Sequence, residues 1–576
     1  MTRQSKTGAR LPARGEMVLS AALALATGLS RLALISSRPG EPDSARYLIG
    51  IGQWLAHGSR AVMIYDQALS VGYYRMGLAI AGWAGNPERT ALALNLLSAL
   101  AATATAPITY ALGRRWLSRA EALAAALLWL FSPGLWWLGL EPHPQGPAIA
   151  LGLLGLWAAA RALESGSRAR AAAWGLGGMC GFACSLLLKS DLLLLAPAFP
   201  ALAIWHDRTL APASFKREEH GQRNRNFRFG LACLLPVLAW LIALAARSAW
   251  LRGNLSGSAG TPGHLVEQFL SWPSGGVWLK QLLPVATGLG FGTWLVLVTG
   301  IGLALGRWLT VHNLKAKAAN AANSESAAAG IRPRNWGSAL MLVSWGAPGM
   351  GLWLLIAGNN TRHTILFTLP WVWAGFYAWR RAWPQAPVAG LACIALGLNW
   401  LAIPANSNMT LYPSPNVPRS AALLAHQLHR MHQLARAMPA QAARLQRLTD
   451  MRASARARSR WPVCYLGWYG NPYLEYDLLT AGMRLRRAGQ ALVLERQSAG
   501  IAFLHVRSRS DYARATEICR RSYSLEYGPG GLHYWFMGEE WRHMPFWRRW
   551  YPGGRAPVVA RAVAPATGGA VAGGAE

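Results

Sequence analysis

The stretch ALALNLLSALAATATAPITYALGRRWLSRAEALAAALLWLFSPG, from Ala91 to Gly134, decides the fold class. It holds two apolar runs on either side of a short turn that carries Arg114, Arg115 and Arg119. An apolar helix needs about 20 residues to cross the hydrocarbon core of a bilayer, which is about 30 Å thick. We therefore expect two membrane-spanning helices joined by a cytoplasmic turn, because Lys and Arg collect in loops on that side.

The same pattern continues along most of the chain. Of its 576 residues, 53% are hydrophobic and only 14% are charged, which is unlike an ordinary soluble protein. The sequence predicts an α-helical polytopic membrane protein with about eleven transmembrane helices. The predicted spans are 17–36, 88–112, 120–138, 145–163, 172–189, 191–205, 229–247, 281–305, 336–357, 362–379 and 385–403.

The basic residues define a topology. A net charge of +33 would suggest nucleic-acid binding in a soluble protein. Here the charge lies in alternate loops, as the positive-inside rule requires, so nucleic-acid binding is disfavoured. The basic loops carry Arg114, Arg115 and Arg119; Arg161, Arg168 and Arg170; Lys216, Arg217, Arg223, Arg225 and Arg228; Lys315, Lys317, Arg332 and Arg334; and Arg380 with Arg381. The N-terminus is predicted to be cytoplasmic and everything after Pro404 extracytoplasmic.

Four segments follow from this topology. We expect a basic cytoplasmic N-terminus at 1–16, a transmembrane domain at 17–404 with an outer loop at 37–87, an extracytoplasmic domain at 405–555 and a disordered tail at 556–576. The extracytoplasmic domain combines a predicted helix from Ser420 to Met451 with β-like runs such as PVCYLGW and ALVLERQ, so a small α/β domain is expected. Cys464 and Cys519 lie in it, and the sequence leaves open whether they form a disulfide.

The outer loop holds the first candidate for chemistry. Glu41 and Asp43 follow the first span in the string EPDSARYLIGIGQWLAHG. Carboxylates in this place can take a proton from a hydroxyl or hold a cation. The alternative is that Asp43 only caps the helix predicted from Ser44 to His57. A second helix is predicted from Val71 to Trp83, and both are expected to lie along the membrane surface with their tyrosines at the interface.

Three cations near the outer side are candidates for binding an anion: Arg46, Lys189 and Arg362. Each has a structural alternative. Arg46 and Arg362 can extend to lipid head groups, and Lys189 can pair with Asp191 to close a tight reversal.

Histidines in two further segments are candidates for a metal site or a charged surface. Glu141 and His143, in GLEPHPQG, can contribute to a metal site, but two ligands do not make one, and the flanking prolines favour a rigid turn. His426, His429 and His432 spread around a helix and indicate a solvated basic face. The sequence has neither a Walker-type phosphate loop nor a dinucleotide-binding glycine string, so ATP and nucleotide-sugar donors are disfavoured.

Several motifs taken together resemble a known superfamily. Asp43 to Tyr47, GRRWLSRAEALAAALLWLFSPG, LLLKSDLLLLAP and RHTILFTLP occur in the order expected for C-type membrane glycosyltransferases. Among these, the chain is most similar to relatives of protein mannosyltransferases and aminoarabinose transferases. The likeness covers about residues 15 to 405. It departs from the pattern at Ser44, where many relatives carry a second acid, and at His363, where an aromatic residue is commoner.

The resemblance implies a polyprenyl-phosphate-linked sugar donor, an acceptor hydroxyl and inversion at the anomeric carbon. It implies that Asp43 is the general base, with Glu41 as its acidic partner, and that Arg46, Lys189 and Arg362 bind the lipid phosphate. Tyr47, Glu141 and His143 are further candidates for the site. A divalent metal ion stays open because Ser44 replaces the second acid. Membrane lipids are the expected surroundings, in a bacterial inner membrane, and the acceptor is not identified.

Two other classes of function remain as alternatives. One is a transporter or flippase for a lipid-linked or small polar substrate, although the sequence has no inverted repeat and its candidate residues gather at one surface. The other is a non-catalytic cell-envelope scaffold whose outer domain binds wall material.

Overall fold

The chain divides into two compact units, Met1–Leu428 and His429–Glu576. The computed structural model describes residues 13–33, 35, 42–57, 70–210, 219–254, 289–322, 343–351, 361–385, 387–401, 403–404, 407–408, 412–413, 418–419, 463–468, 484–488, 491–496 and 499–506. The described helices are α1 (Ala13–Leu32), α2 (Pro42–His57), α3 (Val71–Ala84), α4 (Pro87–Gly113), α5 (Arg119–Leu130), α6 (Pro133–Leu138), α7 (Gln145–Glu164), α8 (Arg168–Leu188), α9 (Ala198–Leu210), α10 (Glu219–Asn254), α11 (Phe291–Ala322), α12 (343–351), α13 (Thr361–Ala382) and α14 (Val388–Leu401). A 3-10 turn, Ser190–Leu195, lies between α8 and α9.

Long apolar helices make the first unit a multi-pass membrane protein. Within the described residues, four helices are long and apolar enough to cross a membrane, judged by length and composition: Pro87–Gly113, Gln145–Glu164, Arg168–Leu188 and Asn226–Ala249. They correspond to the predicted spans 88–112, 145–163, 172–189 and 229–247. The total of about eleven spans stays a prediction.

The predicted span 120–138 is broken in the structure. α5 ends at Leu130 and α6 begins at Pro133, with Ser132 as the residue that precedes α6. Pro133 has no backbone N–H, so the hydrogen-bond ladder of α5 cannot continue through it. The start of α5 is fixed by a capping box, in which Ser118 Oγ accepts from Glu121 N at 3.4 Å and Glu121 Oε2 accepts from Ser118 N at 2.7 Å.

The predicted span 191–205 also begins differently. α8 ends at Leu188, the 3-10 turn occupies Ser190–Leu195, and α9 begins only at Ala198. Asp191 therefore lies in the reversal between two helices and not inside a spanning helix.

Helices α7 and α8 pack closely through small residues. A Cβ atom at Gly155 would lie 3.0 Å from the carbonyl oxygen of Gly178, and a Cβ atom at Gly178 would lie 3.0 Å from that of Gly155. Backbones approach this closely in membrane helices only where side chains are absent. Because a short turn joins the two helices, the start of α7 and the end of α8 lie at the same end of the bundle. This end carries Glu141, His143 and Lys189.

The two helices predicted in the outer loop are present as α2 and α3. Their tyrosines are placed differently from the expectation. Tyr47, Tyr73 and Tyr74 are 3%, 0% and 1% exposed, so their rings pack inside the protein and not at the membrane surface. Trp83, near the far end of α3, is 85% exposed. One end of α3 is thus built into the protein core and the other faces outward.

The second unit contains a four-stranded sheet in the order β5-β8-β7-β6. The strands are β5 (Val463–Trp468), β6 (Arg484–Ala488), β7 (Ala491–Arg496) and β8 (Ala499–Val506), with β5 and β8 parallel and the other pairs antiparallel. Four shorter strands belong to the first unit, and they pair antiparallel as β1 (Ile403–Pro404) with β4 (Pro418–Arg419) and β2 (Ser407–Asn408) with β3 (Tyr412–Pro413).

Both β-like runs named from the sequence are strands, β5 and β7. The predicted helix from Ser420 to Met451, the tail 556–576 and Cys519 lie outside the described residues. The α/β class of this unit and the disulfide therefore stay predictions.

Candidate active site

The site begins with an aromatic cluster on α2 and α3. Tyr47 lies one helical turn after position 43, so the two positions share a face of α2. Its ring packs edge-on against Tyr73 and tilted against Tyr74, with ring centroids 5.4 Å apart in both pairs. The Tyr47 hydroxyl and Ser70 Oγ form a hydrogen bond of 3.3 Å. These contacts fix α2 against α3 one turn beyond the predicted catalytic acid.

Tyr47 also contacts the turn that precedes α7. Its ring lies edge-on to His143, with centroids 5.3 Å apart. Gln145 N donates to His143 Nδ1 at 3.1 Å, so Nδ1 is unprotonated and the proton of the neutral ring lies on Nε2. His143 and Glu141 are 1% and 2% exposed. The sequence thus named three residues, Tyr47, Glu141 and His143, that the fold brings to one place.

Tyr73 adds a buried hydroxyl that the sequence did not single out. It is fully buried, and within the described part of the chain its hydroxyl has no hydrogen-bond partner. Burial raises the pKa of Tyr73 well above its usual value, and the nearby Tyr47 and Glu141 raise it further. The hydroxyl therefore remains a neutral hydrogen-bond donor at any physiological pH.

Helix α3 connects this cluster to the end of α8. A Cβ atom at Gly72 would lie 3.0 Å from the carbonyl carbon, the carbonyl oxygen and the Cβ of Leu187. Only glycine permits the two backbones to pack this closely. Leu187 lies two residues before Lys189. The contact between α3 and α8 therefore brings the helix that carries Tyr73 and Tyr74 close to the segment that carries Lys189.

The reversal after α8 is joined to the start of α13. His363 Nδ1 and Asp191 Oδ2 form a hydrogen bond of 2.7 Å between side chains that are 8% and 12% exposed. Lys189, which is 2% exposed, precedes Asp191 by two residues. Asp191 therefore has two neighbours of opposite or polar character: His363 through this hydrogen bond, and Lys189 through its charge.

Asp191 is held in its charged form. Burial by itself raises the pKa of a carboxyl group, but Lys189 and the hydrogen bond from His363 outweigh it, so the pKa of Asp191 lies below its usual value. A carboxylate with a cation and a charge-assisted hydrogen bond beside it is a stable buried anion. The reversal therefore carries a fixed negative charge next to a buried lysine.

The remaining predicted residues are described only in part. Glu41 lies outside the described residues, and of Asp43 and Arg362 the helical backbone is described but not the side chain. Position 43 belongs to the first turn of α2, which begins at Pro42 and not at Ser44 as expected. Arg362 is the second residue of α13, directly before His363. Arg46 is half-buried.

A metal site was left open by the sequence. The described residues contain no group of three or more His, Cys, Asp or Glu side chains that could hold a metal ion. His143 is a poor metal ligand in this arrangement. Its Nδ1 already accepts a hydrogen bond, and its Nε2 carries the proton of the neutral ring.

The sequence matches one protein-family profile, described as dolichyl-phosphate-mannose-protein mannosyltransferase, over residues 85–240. Over this segment the match confirms the resemblance to membrane glycosyltransferases that the sequence motifs indicate. The matched segment runs from the end of α3 into α10 and includes Glu141, His143 and Lys189. No curated protein matches the sequence.

Among solved structures, the chain is similar to ArnT from Cupriavidus metallidurans and to the oligosaccharyltransferase of Archaeoglobus fulgidus. ArnT bound to undecaprenyl phosphate is 14% identical with a TM-score of 0.41, covering 82% of this chain and 75% of that one. ArnT in the apo state is 13% identical with a TM-score of 0.43, covering 89% and 90%. The apo archaeal enzyme is 12% identical with a TM-score of 0.46. The match covers 81% of this chain and 63% of that enzyme, so the chain spans less than two thirds of the enzyme's length.

Sequence reasoning found the segments of the site but not their pairing. It treated Asp191 as a local partner of Lys189 and His363 as a departure from the family pattern, and the hydrogen bond between them joins positions 172 residues apart. It placed Tyr73 and Tyr74 at the membrane surface, because aromatic residues among polar neighbours are typical of that position. A contact across the bundle leaves no signal in one sequence.

Proposed function

We propose that the chain transfers a sugar from a polyprenyl-phosphate donor to an acceptor hydroxyl on the extracytoplasmic side, with inversion at the anomeric carbon. The family match supports a lipid-linked donor. The observation that carries the proposal is the convergence of the predicted site segments at one end of the bundle. Tyr47 contacts His143, Gly72 contacts Leu187 beside Lys189, and Asp191 contacts His363 beside Arg362.

This convergence is what the chemistry needs. A sugar leaving a lipid phosphate requires a base near the acceptor and positive charge near the leaving group, and both must meet at one carbon atom. α2 carries the acid, the reversal carries one cation, and the first turn of α13 carries another. The acid and the two cations thus come from three segments that are far apart in the sequence and that helix contacts bring to the same end of the bundle.

Asp43 acts as the general base in this proposal. The acceptor oxygen attacks the anomeric carbon from the face opposite the phosphate, and its proton passes to the Asp43 carboxylate. The bond between the anomeric carbon and the phosphate oxygen breaks, and the electron pair leaves with the polyprenyl phosphate. General-base catalysis of this kind contributes roughly 10²- to 10⁴-fold to a rate.

Lys189, Arg362 and Arg46 bind the lipid phosphate. Fixed cations stabilise the charge that develops on a leaving group without having to reorganise during the step. Arginine suits two-point contact with phosphate oxygens, and lysine provides a compact point charge. Lys189 is buried, so its charge acts in a medium of low dielectric constant, where it is stronger than at a solvated surface.

Glu141, His143 and Tyr73 complete the polar surroundings. Glu141 provides an acceptor, while His143 Nε2 and the Tyr73 hydroxyl provide donors, which is the mixture of groups that sugar hydroxyls recognise. Glu41 adds negative charge beside Asp43 and helps to hold an acceptor or a cation.

The test is transfer by the purified full-length protein. With a polyprenyl-phosphate sugar and a membrane extract as the acceptor source, we expect release of polyprenyl phosphate, and we expect Asp43→Asn to slow it by about 10²-fold or more. Glu88→Gln is the matched control, since Glu88 is an exposed acid in the first turn of α4. Full turnover by Asp43→Asn would remove Asp43 as the base, and no release by the wild-type protein would overturn the proposed function.

A further inference from the structure

We propose that Asp191 and His363 are positioning residues of the lipid-phosphate site, whose hydrogen bond sets the spacing between the two segments that carry Lys189 and Arg362. The inference rests on the proposed function, and it adds a pair that contacts neither the sugar nor the reacting atoms.

The geometry of the pair supports this role. Each member lies within two residues of a candidate cation: Asp191 follows Lys189 by two positions, and His363 follows Arg362 directly. The bond between His363 Nδ1 and Asp191 Oδ2 is 2.7 Å long, at the short end for a nitrogen donor and a charged oxygen acceptor. A bond of this kind is directional, so it fixes one segment relative to the other in distance and in orientation.

Helix α13 has a second anchor in the next turn. Trp129 Nε1 on α5 donates to the carbonyl oxygen of Ile365 at 3.0 Å. The first two turns of α13 are thus held from two sides, by α5 and by the 3-10 turn. Of these two anchors, only the Asp191 bond connects α13 to the segment that carries Lys189.

The charge of Asp191 argues for a role beyond packing. A buried carboxylate with a hydrogen-bonded imidazole is rarely better for stability than two apolar side chains of similar volume, because its desolvation offsets the attraction. A polar pair in this place is therefore better explained by the precision it gives to its neighbours.

Precision is what a phosphate site demands. Misplacing a catalytic group by about 1 Å lowers a rate by as much as about 100-fold. Two cations on separate segments reach one phosphate together only when those segments hold a fixed distance. Loss of the pair is expected to weaken donor binding more than it slows the bond-breaking step, since each cation itself is retained.

The decisive variant replaces both members together. Asp191→Leu with His363→Phe removes both partners of the hydrogen bond together, so neither is left unpaired, and the protein is expected to fold. Its melting temperature shows how far the loss of the Asp191 charge beside Lys189 affects stability. We expect the KM for the polyprenyl-phosphate sugar to rise about tenfold, which corresponds to the loss of one good interaction, and kcat to change less. Affinity for polyprenyl phosphate alone, measured on the full-length protein in detergent, is expected to fall in parallel.

A conservative variant separates positioning from packing. The amide nitrogen of Asn in His363→Asn can occupy the place of Nδ1 and donate to Asp191, so its KM is expected to stay within about threefold of the wild type. Ser185→Ala is the matched control: Ser185 Oγ donates to the carbonyl oxygen of Ala148 at 2.8 Å, one turn before Lys189, and its loss removes a buried bond outside the pair.

The outcomes are distinct. A double variant with normal stability and a wild-type KM would overturn the inference, as would a His363→Asn protein as impaired as the double variant. A wild-type protein that releases no lipid phosphate would overturn the proposed function instead.

Discussion

The ring of Tyr47 packs edge-on against His143, with the ring centroids 5.3 Å apart. This contact joins α2, which begins beside the predicted catalytic acid, to the turn that carries Glu141. Edge-to-face aromatic pairs of this kind are worth about 0.5–1.5 kcal/mol beyond the area that they bury. The contact therefore stabilises the fold and also aligns two parts of the candidate site.

Two variants of Tyr47 distinguish the contribution of its hydroxyl from that of its ring. Tyr47→Phe keeps the ring contacts and loses the hydroxyl that bonds to Ser70, so the free energy of unfolding is expected to fall by about 1 kcal/mol. Tyr47→Ala loses the ring contacts as well and is expected to cost about 3 kcal/mol or more, with loss of donor turnover. Denaturant unfolding in detergent measures both. Tyr377→Ala on α13, where the side chain is 40% exposed, is the control, and an equal effect of the two alanine variants would contradict the prediction.

Gly72 and Gly82 form a matched pair on α3. A methyl group at position 72 would meet the backbone of Leu187, which cannot move aside, so Gly72→Ala is expected to lower the free energy of unfolding by about 1–3 kcal/mol. At Gly82 nothing lies within 4 Å of the added atom, so Gly82→Ala is expected to be neutral or to stabilise the helix by up to about 1 kcal/mol. Thermal unfolding of the two variants side by side tests this, and a harmless Gly72→Ala would show that α3 does not pack on α8 in this way.

Arg31 on α1 is fully buried and supports the break between α5 and α6. Its Nη2 donates to the carbonyl oxygen of Leu130 at 2.7 Å, and its Nη1 donates to that of Thr27 at 3.0 Å. Leu130 ends α5, so its carbonyl oxygen has no partner within that helix. The arginine thus caps α5 from a neighbouring helix.

A double-mutant cycle with Gly139 tests this contact. A Cβ atom at Gly139 would collide with the guanidinium of Arg31, so Gly139→Ala is expected to destabilise the protein by about 1–3 kcal/mol. Arg31→Ala removes the Cδ and Nε atoms that the added methyl group would meet, and in that background the cost of Gly139→Ala is expected to be smaller by about 1 kcal/mol or more. Additive effects of the two changes would refute the contact.

The charge of Asp191 predicts a pH dependence of stability. The pKa of Asp191 lies below its usual value because Lys189 and His363 outweigh burial. A carboxyl group with a lowered pKa contributes stability that is fully present above its unfolded pKa of about 3.9 and is lost as the pH falls through the folded pKa. The melting temperature of the wild type is expected to exceed that of Asp191→Asn at neutral pH. The difference should shrink as the pH approaches about 3, and a constant difference would contradict a charged Asp191.

The topology is tested by labelling in intact cells. Glu88→Cys, in the exposed first turn of α4, is expected to react with a membrane-impermeant maleimide from the outside, and Gly166→Cys, in the turn between α7 and α8, only after permeabilisation. Cys180, Cys184, Cys233 and Cys393 are free, so a background without the native cysteines is used. The reverse pattern would place the candidate site on the cytoplasmic side and exclude an extracytoplasmic acceptor.

Much of the helical part of the fold was predictable because its driving force is local. Lipid offers no hydrogen bonds to a backbone, so a long apolar run in this chain must be helical, and α4, α7, α8 and α10 follow from composition alone. The break at Pro133 was missed because the apolar run continues through it. The late start of α9 was missed for the same reason, since hydropathy does not reveal where a reversal adopts a 3-10 turn.

The sequence by itself determined the long apolar helices, the basic turns between them and the resemblance to membrane glycosyltransferases, because length, hydropathy and motif order are properties of short segments. Only the tertiary structure decided that Tyr47 meets His143, that Gly72 lets α3 approach Leu187, and that Asp191 forms a hydrogen bond with His363. These contacts depend on how the helices pack against one another. In packing, the volume and polarity of several distant residues act together, and no segment contains that information alone.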